Sequence, residues 1–149
     1  MNTMISRSLL VLLLLAEIVG SPGVQAQMPI TIDELVTQQK SLNRKSTLLK
    51  GILVSGHAGV FLKDDKERVA VRIRFGSLPQ WASGYTPQRD ELYRKLEGAA
   101  DLSLVSPPPK YRVELTCLVS ILDKDKYDVY TESPLEIFPL RVILLDPLK

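Results

Sequence analysis

The chain has 149 residues, 19 Lys and Arg against 17 Asp and Glu, a net charge of +2 and 45% hydrophobic residues. That length suits one domain, and so small a charge gives no argument for nucleic acid or a membrane surface as the natural partner. One cysteine, Cys117, excludes an intrachain disulfide, so the core must hold without staples.

The first 26 residues read as a signal peptide. Arg7 supplies a positive start, Leu9–Ala16 is an unbroken apolar run, and Ser21-Pro22-Gly23 breaks the segment. Val24-Gln25-Ala26 then offers the small residues a signal peptidase reads, which predicts cleavage between Ala26 and Gln27. The apolar run is too short to span a bilayer, so no stable membrane span is expected after cleavage. Removing these residues takes away Arg7 and Glu17 and leaves the net charge unchanged. Small extracellular animal proteins usually carry several disulfides, so export without one points to a bacterial periplasm.

A helix is predicted over residues 31–43. Thr31 and Glu34 form a capping box, with Ile30 and Leu35 as a hydrophobic staple. Ile32, Leu35, Val36, Gln39 and Leu42 fall on one face. The first strand, Thr47–Ser55, has apolar residues on both faces around Gly51, where a glycine permits a bend. Gly56 and Gly59 bracket a tight turn holding His57, and Val60–Lys63 returns as a second strand. The charged residues Asp64–Arg68 are expected to form a solvated hairpin loop. Val69, Val71, Ile73 and Phe75 then alternate with Ala70, Arg72 and Arg74, the clearest two-residue period in the chain. A one-residue slip would bury both arginines, so the register of this third strand is set.

After a loop carrying Pro79, Trp81 and Gly84, a second helix is predicted to be capped by Thr86, to begin at Pro87 and to stop at Gly98. A short extended piece at Leu102–Val105 and the stiff Pro107-Pro108-Pro109 follow. Tyr111–Leu122 reads as a long strand. Tyr111, Val113, Leu115, Cys117, Val119 and Ile121 form one face, and Arg112, Glu114, Thr116 and Ser120 the other. Asp123–Lys126 is a polar turn, Tyr127–Thr131 a loop or hairpin arm, and Leu135–Leu145 a last strand in which Pro139 marks a bulge or an edge.

The order helix, three strands, helix, two strands resembles the OB-fold over roughly Thr47–Asp146. The phrase Gly51–Lys63, with Gly-His-Ala-Gly at its centre, is similar to those of small exported bacterial OB-like proteins, most of which have no assigned activity. The resemblance implies a mainly β (α+β) fold: a five-stranded Greek-key barrel, about residues 47–146, with an N-terminal helix and a helix between strands three and four. Mature residues 27–149 would be one such domain. An OB barrel binds ligands on strands two and three and through its first and last hairpin loops. A β-sandwich or another α+β sheet is the structural alternative.

The candidate ligand-binding residues are Arg72, Arg74, His57, Phe61 and Lys50, with Arg44 and Lys45 nearby. Cations beside an aromatic ring suit a charged or stacking ligand. His57, the only histidine, sits in the turn an OB barrel would use as its first binding loop, but no orienting carboxylate or second ligand is spaced to make it a base or a metal site. Asp64, Asp65 and Glu67 lack the spacing of a cation loop and are interleaved with Lys66 and Arg68. Cys117 lies on an apolar face, where a free cysteine is a core residue. No catalytic residue, metal or cofactor is expected. The sequence therefore favours a non-enzymatic module that binds a partner protein or small ligand. The alternatives are a single-stranded nucleic-acid or oligosaccharide binder using the face of strands two and three, and a hydrolase or nuclease with an unrecognised site.

Overall fold

The computed structural model describes residues 27–56, 59–100, 109–122 and 134–149. The expected signal peptide (1–26), His57, the extended piece at Leu102–Val105, Pro107, Pro108, the turn Asp123–Lys126 and Tyr127–Thr131 lie outside them.

The fold is a mainly β closed barrel. Strands β1 (Ser46–Gly56), β2 (Gly59–Lys63), β3 (Ala70–Ile73), β4 (Tyr111–Ile121) and β5 (Leu135–Pro147) run around it in the order β1-β2-β3-β5-β4, with β4 returning to β1. Neighbours are antiparallel except β3 and β5, which are parallel through Arg72↔Glu136 and Ile73↔Ile137. The long strand β1 serves both halves: Ser46–Leu53 pairs with β4 and Ile52–Gly56 with β2. Inward-pointing Leu49, Leu53, Leu62, Val71, Ile73, Val113, Leu115, Cys117 and Val119 build one contiguous core. Cys117 is fully enclosed there, and burial pushes its thiol pKa well above the ordinary value, the reverse of what a reactive thiol needs.

Gly51 allows a close approach as much as a bend. A Cβ there would lie 2.8 Å from the Lys63 carbonyl oxygen, 2.9 Å from Leu62 Cγ and 3.2 Å from Ile32 Cγ1. The last strand carries two irregularities against β4, where Leu140 and Ile143 are extra residues. The first adjoins Pro139, which has no N–H to give to a ladder.

The N-terminal helix differs from the single element predicted. It is broken into α1 (Ile32–Thr37) and α2 (Gln39–Leu42) at Gln38. The Thr37 hydroxyl donates to the Asp33 carbonyl (2.9 Å) and the Ser41 hydroxyl to the Gln38 carbonyl (2.9 Å), contacts that bend helices. Its start is the Thr31–Glu34 capping box. The Thr31 backbone N–H, then its hydroxyl, hold the Glu34 carboxyl below its usual pKa, with Lys50 adding a smaller pull. Ile32 and Leu35 enter the core, and Ile30 bridges to Leu49 along β1.

The second helix, α3 (Glu91–Ala100), starts later than Pro87 and runs through Gly98. Asp90, not Thr86, caps it: its carboxylate accepts the Tyr93 N–H at 3.0 Å. The reason is tertiary, because the Gln88 N–H is already given to the Leu140 carbonyl at 2.6 Å, which ties this segment to β5. Tyr93, Leu96 and Ala99 cover the barrel opening where β1 and β3 finish. The buried Ser55 hydroxyl donates to the Ala99 carbonyl at 3.1 Å, which ties the helix to the end of β1.

A second, smaller cluster lies outside the barrel wall. Leu118, Phe138 and Leu140 point outward and are covered by Ala82, with Leu78 and Trp81 packed against them. The loop after β3 therefore lies on β4 and β5, its short 3-10 turn Gln80–Ala82 anchoring it. No helix among the described residues is long and apolar enough to cross a membrane.

Candidate functional site

Pairing across all five strands places Val54, Phe61, Arg72, Glu136 and Ser120 in one row on the outside of the barrel, each opposite the next. The Arg72 guanidinium carbon lies 5.8 Å from the centre of the Phe61 ring, close enough for a cation–π contact. A Cβ on Gly59 would come within 3.8 Å of the same guanidinium and of the Phe61 ring, so this glycine lies directly beneath the stack.

Arg74, just past the end of β3, donates from Nε to Oε1 of Glu136 at 2.9 Å. Glu136 is only 7% exposed. It was not singled out from the sequence, although a carboxylate inside the apolar run Leu135–Leu140 is the signal that would have found it. Arg72 thus stands opposite, and Arg74 is ion-paired with, a buried acid more than sixty residues away in the chain. Half of the Arg74 side chain is exposed.

Beyond this pair the surface opens into a groove of about 780 Å³. It is lined by the Arg74–Glu136 pair, by Arg44 and Trp81, and by Asn43 and Ser120. The Arg44 guanidinium sits 5.9 Å from the Trp81 ring centre. The Asn43 side-chain oxygen accepts the Ile121 N–H at 3.0 Å. The structure therefore brings Arg72, Arg74, Phe61 and, through the groove, Arg44 and Trp81 onto one continuous face. His57 lies outside the described residues.

Lys50 does not join them. It points outward four residues before Val54, opposite Glu114, and lines a separate groove of about 580 Å³ with Asp33, Asp64 and Arg68. That groove is a web of internal charge pairs. Arg68 bridges Asp64 (3.1 Å) and Asp33 (3.2 Å) there, and Glu67 of the same charged turn pairs with Lys110.

The charged turn Asp64–Arg68 was expected to be solvated throughout, but Asp64 is 6% exposed. Its carboxylate accepts the backbone N–H groups of Arg68 (2.6 Å) and Val69 (3.1 Å) and the Arg68 side chain (3.1 Å). Burial by itself would raise its pKa. The N–H groups of Val69 and Arg68 and the guanidinium outweigh that and hold the group below the usual carboxylate range. A carboxyl lowered in the folded state stabilises that state above its unfolded pKa, and the contribution is lost as pH falls through the folded value. Asp64→Asn is therefore expected to be less stable than the natural chain near neutral pH, with the gap closing below about pH 4. Urea unfolding across this range checks it, and a gap independent of pH would show that the charge is not what holds the turn.

Among the described residues, no group of three His, Cys, Asp or Glu side chains is arranged to hold a metal ion. What the outer face offers is planar cations stacked on aromatic rings, beside a groove of ligand size. Compared with known proteins, the chain matches no protein-family model, no curated protein and no solved structure, so its chemistry rests on the geometry of these residues.

Proposed function

We propose that the protein is an exported, periplasmic, non-enzymatic OB-like domain that binds a partner protein or a small ligand on the outer face of β2 and β3. The observation that carries this reading is the Phe61–Arg72 stack within a row that crosses all five strands. An OB barrel presents its ligands to those two strands and to its first and last hairpin loops. The closed five-strand barrel in the order β1-β2-β3-β5-β4, with its parallel β3–β5 pair and with α3 between β3 and β4 in the chain, supports this reading. Export rests on the signal-peptide pattern of residues 1–26.

The test is a pull-down from periplasmic extract with the tagged mature chain, reading both proteins and small molecules by mass spectrometry. Species retained by the natural sequence are expected to be lost from the Phe61→Ala, Arg72→Ala double variant. Recovery of the same set by both proteins would remove this face from consideration.

The Arg72–Phe61 pair also supports a second reading, because single-strand binders combine cations with stacking platforms. Single-stranded DNA binding that weakens steeply with salt and disappears in the double variant would favour it over the first.

A further inference from the structure

Arg44 occupies a costly backbone position. Its φ is 60°, in the left-handed region, just after the last turn of α2 and its cap residue Asn43. Helices ending this way usually place glycine there, because a side chain is strained. The surrounding backbone holds the conformation: the Arg44 N–H donates to the Val119 carbonyl at 2.7 Å, and the Val119 N–H returns to the Lys45 carbonyl at 3.1 Å. Strain kept at an exposed arginine is a reason to look for a ligand.

The guanidinium rests on Trp81, which is itself packed against the outer cluster of Leu118, Phe138 and Leu140. Among the described residues Arg44 has no carboxylate partner, so its hydrogen-bonding edge is not committed to an acid. In the same lining, Arg74 uses Nε on Glu136. Among the described residues the lining thus carries two guanidinium groups and one carboxylate, a surplus of one positive charge. A guanidinium fork matches a carboxylate or a phosphate. With one positive charge in surplus, the lining balances a singly charged carboxylate better than a phosphate monoester, which carries nearly two charges near neutral pH. The remaining lining mixes amides and hydroxyls with aromatic rings, which suits a ligand with hydroxyl edges and an apolar face.

We propose that this groove binds the carboxylate-bearing unit of an acidic saccharide, with the carboxylate received by Arg44 and the sugar ring lying between Trp81 and the Arg74–Glu136 pair. The inference rests on the binding-module reading above and names the ligand class for the groove that adjoins its face.

Trp81 is the only tryptophan in the chain, so its fluorescence reports on this groove alone. The mature protein is titrated with a galacturonate oligosaccharide, the matching neutral galactose oligosaccharide and inorganic phosphate. The acidic sugar is expected to change Trp81 emission saturably, with the other two weaker by about tenfold or more. Arg44→Gln is expected to lose about tenfold in affinity for the acidic sugar. Arg44→Gly, which suits the backbone, is expected to lose binding while melting at or above the temperature of the natural chain. Equal response to the neutral sugar or to phosphate, no saturation with the acidic sugar, or unchanged affinity in a folded Arg44→Gly variant would each overturn the proposal. A pull-down ligand that depends on Phe61 and Arg72 but not on Arg44 would overturn it while leaving the binding-module reading intact.

Discussion

Replacing Tyr93 with alanine is expected to lower the stability of the barrel by about 3–5 kcal/mol. Tyr93 is 1% exposed and is among the largest fully buried side chains. Its ring meets Phe75 edge to face, with centroids 6.3 Å apart and planes at 88°. An aromatic side chain buries roughly 150–250 Å², which at about 25 cal/mol per Å² gives about 4–6 kcal/mol as an upper bound. The hole left by alanine cannot close easily, because it would lie between α3 and barrel walls fixed by their own hydrogen-bond ladders. Urea unfolding measures the loss as a lower midpoint with an unchanged slope. A midpoint equal to that of the natural chain would mean that α3 is not part of the cooperative unit.

The conservative variant separates the ring from its hydroxyl. Burial first, and then the negative charge of Glu97, raise the Tyr93 phenol pKa above 10.0, with Arg89 opposing. A raised folded value means that the stability is fully present below the unfolded pKa and is lost as pH rises through the folded one. Tyr93→Phe should therefore recover most of the packing and lack this alkaline step.

Gly51→Ala is expected to cost about 1–3 kcal/mol through overpacking. The added carbon would sit 2.8 Å from the Lys63 carbonyl oxygen, a backbone atom in the strand paired with β1. Moving that oxygen means parting β1 from β2, and Leu62 and Ile32 close the other directions. Gly56→Ala is the control: a Cβ there meets nothing within 4 Å among the described residues. That variant should melt with the natural chain or slightly above it, since alanine restricts the unfolded state. Thermal melts of the two variants side by side decide the matter. If Gly51→Ala melts with Gly56→Ala, the close approach at the bend is not a constraint on the fold.

Both effects arise where a strand and a helix converge on the barrel interior, and the candidate site owes its shape to the same walls. Arg72 and Arg74 project outward because Val71 and Ile73 must point inward. The groove exists because the Leu78–Ala82 loop lies on outward-facing Leu118 and Phe138 and carries Trp81 to Arg44.

The sequence alone determined what depends on neighbouring residues. The capping box at Thr31 and Glu34, the alternation around Arg72, the enclosed face holding Cys117 and the irregularity at Pro139 are written in local spacing, since turn chemistry and side-chain period act over a few residues. Tertiary structure decided what depends on which surfaces meet. Leu118 breaks the alternation of β4, and only the loop folded over it explains its burial. Thr86 and Pro87 had the local marks of a helix start, but the bond from Gln88 to Leu140 moved the cap to Asp90. Asp64 had the composition of a solvated turn and became its buried anchor. Above all, the parallel meeting of β3 and β5 set Glu136 between Arg72 and Arg74, and no local signal specifies that register. It follows from closing the barrel, where burying the apolar faces of five strands together outweighs the preferences of any one segment.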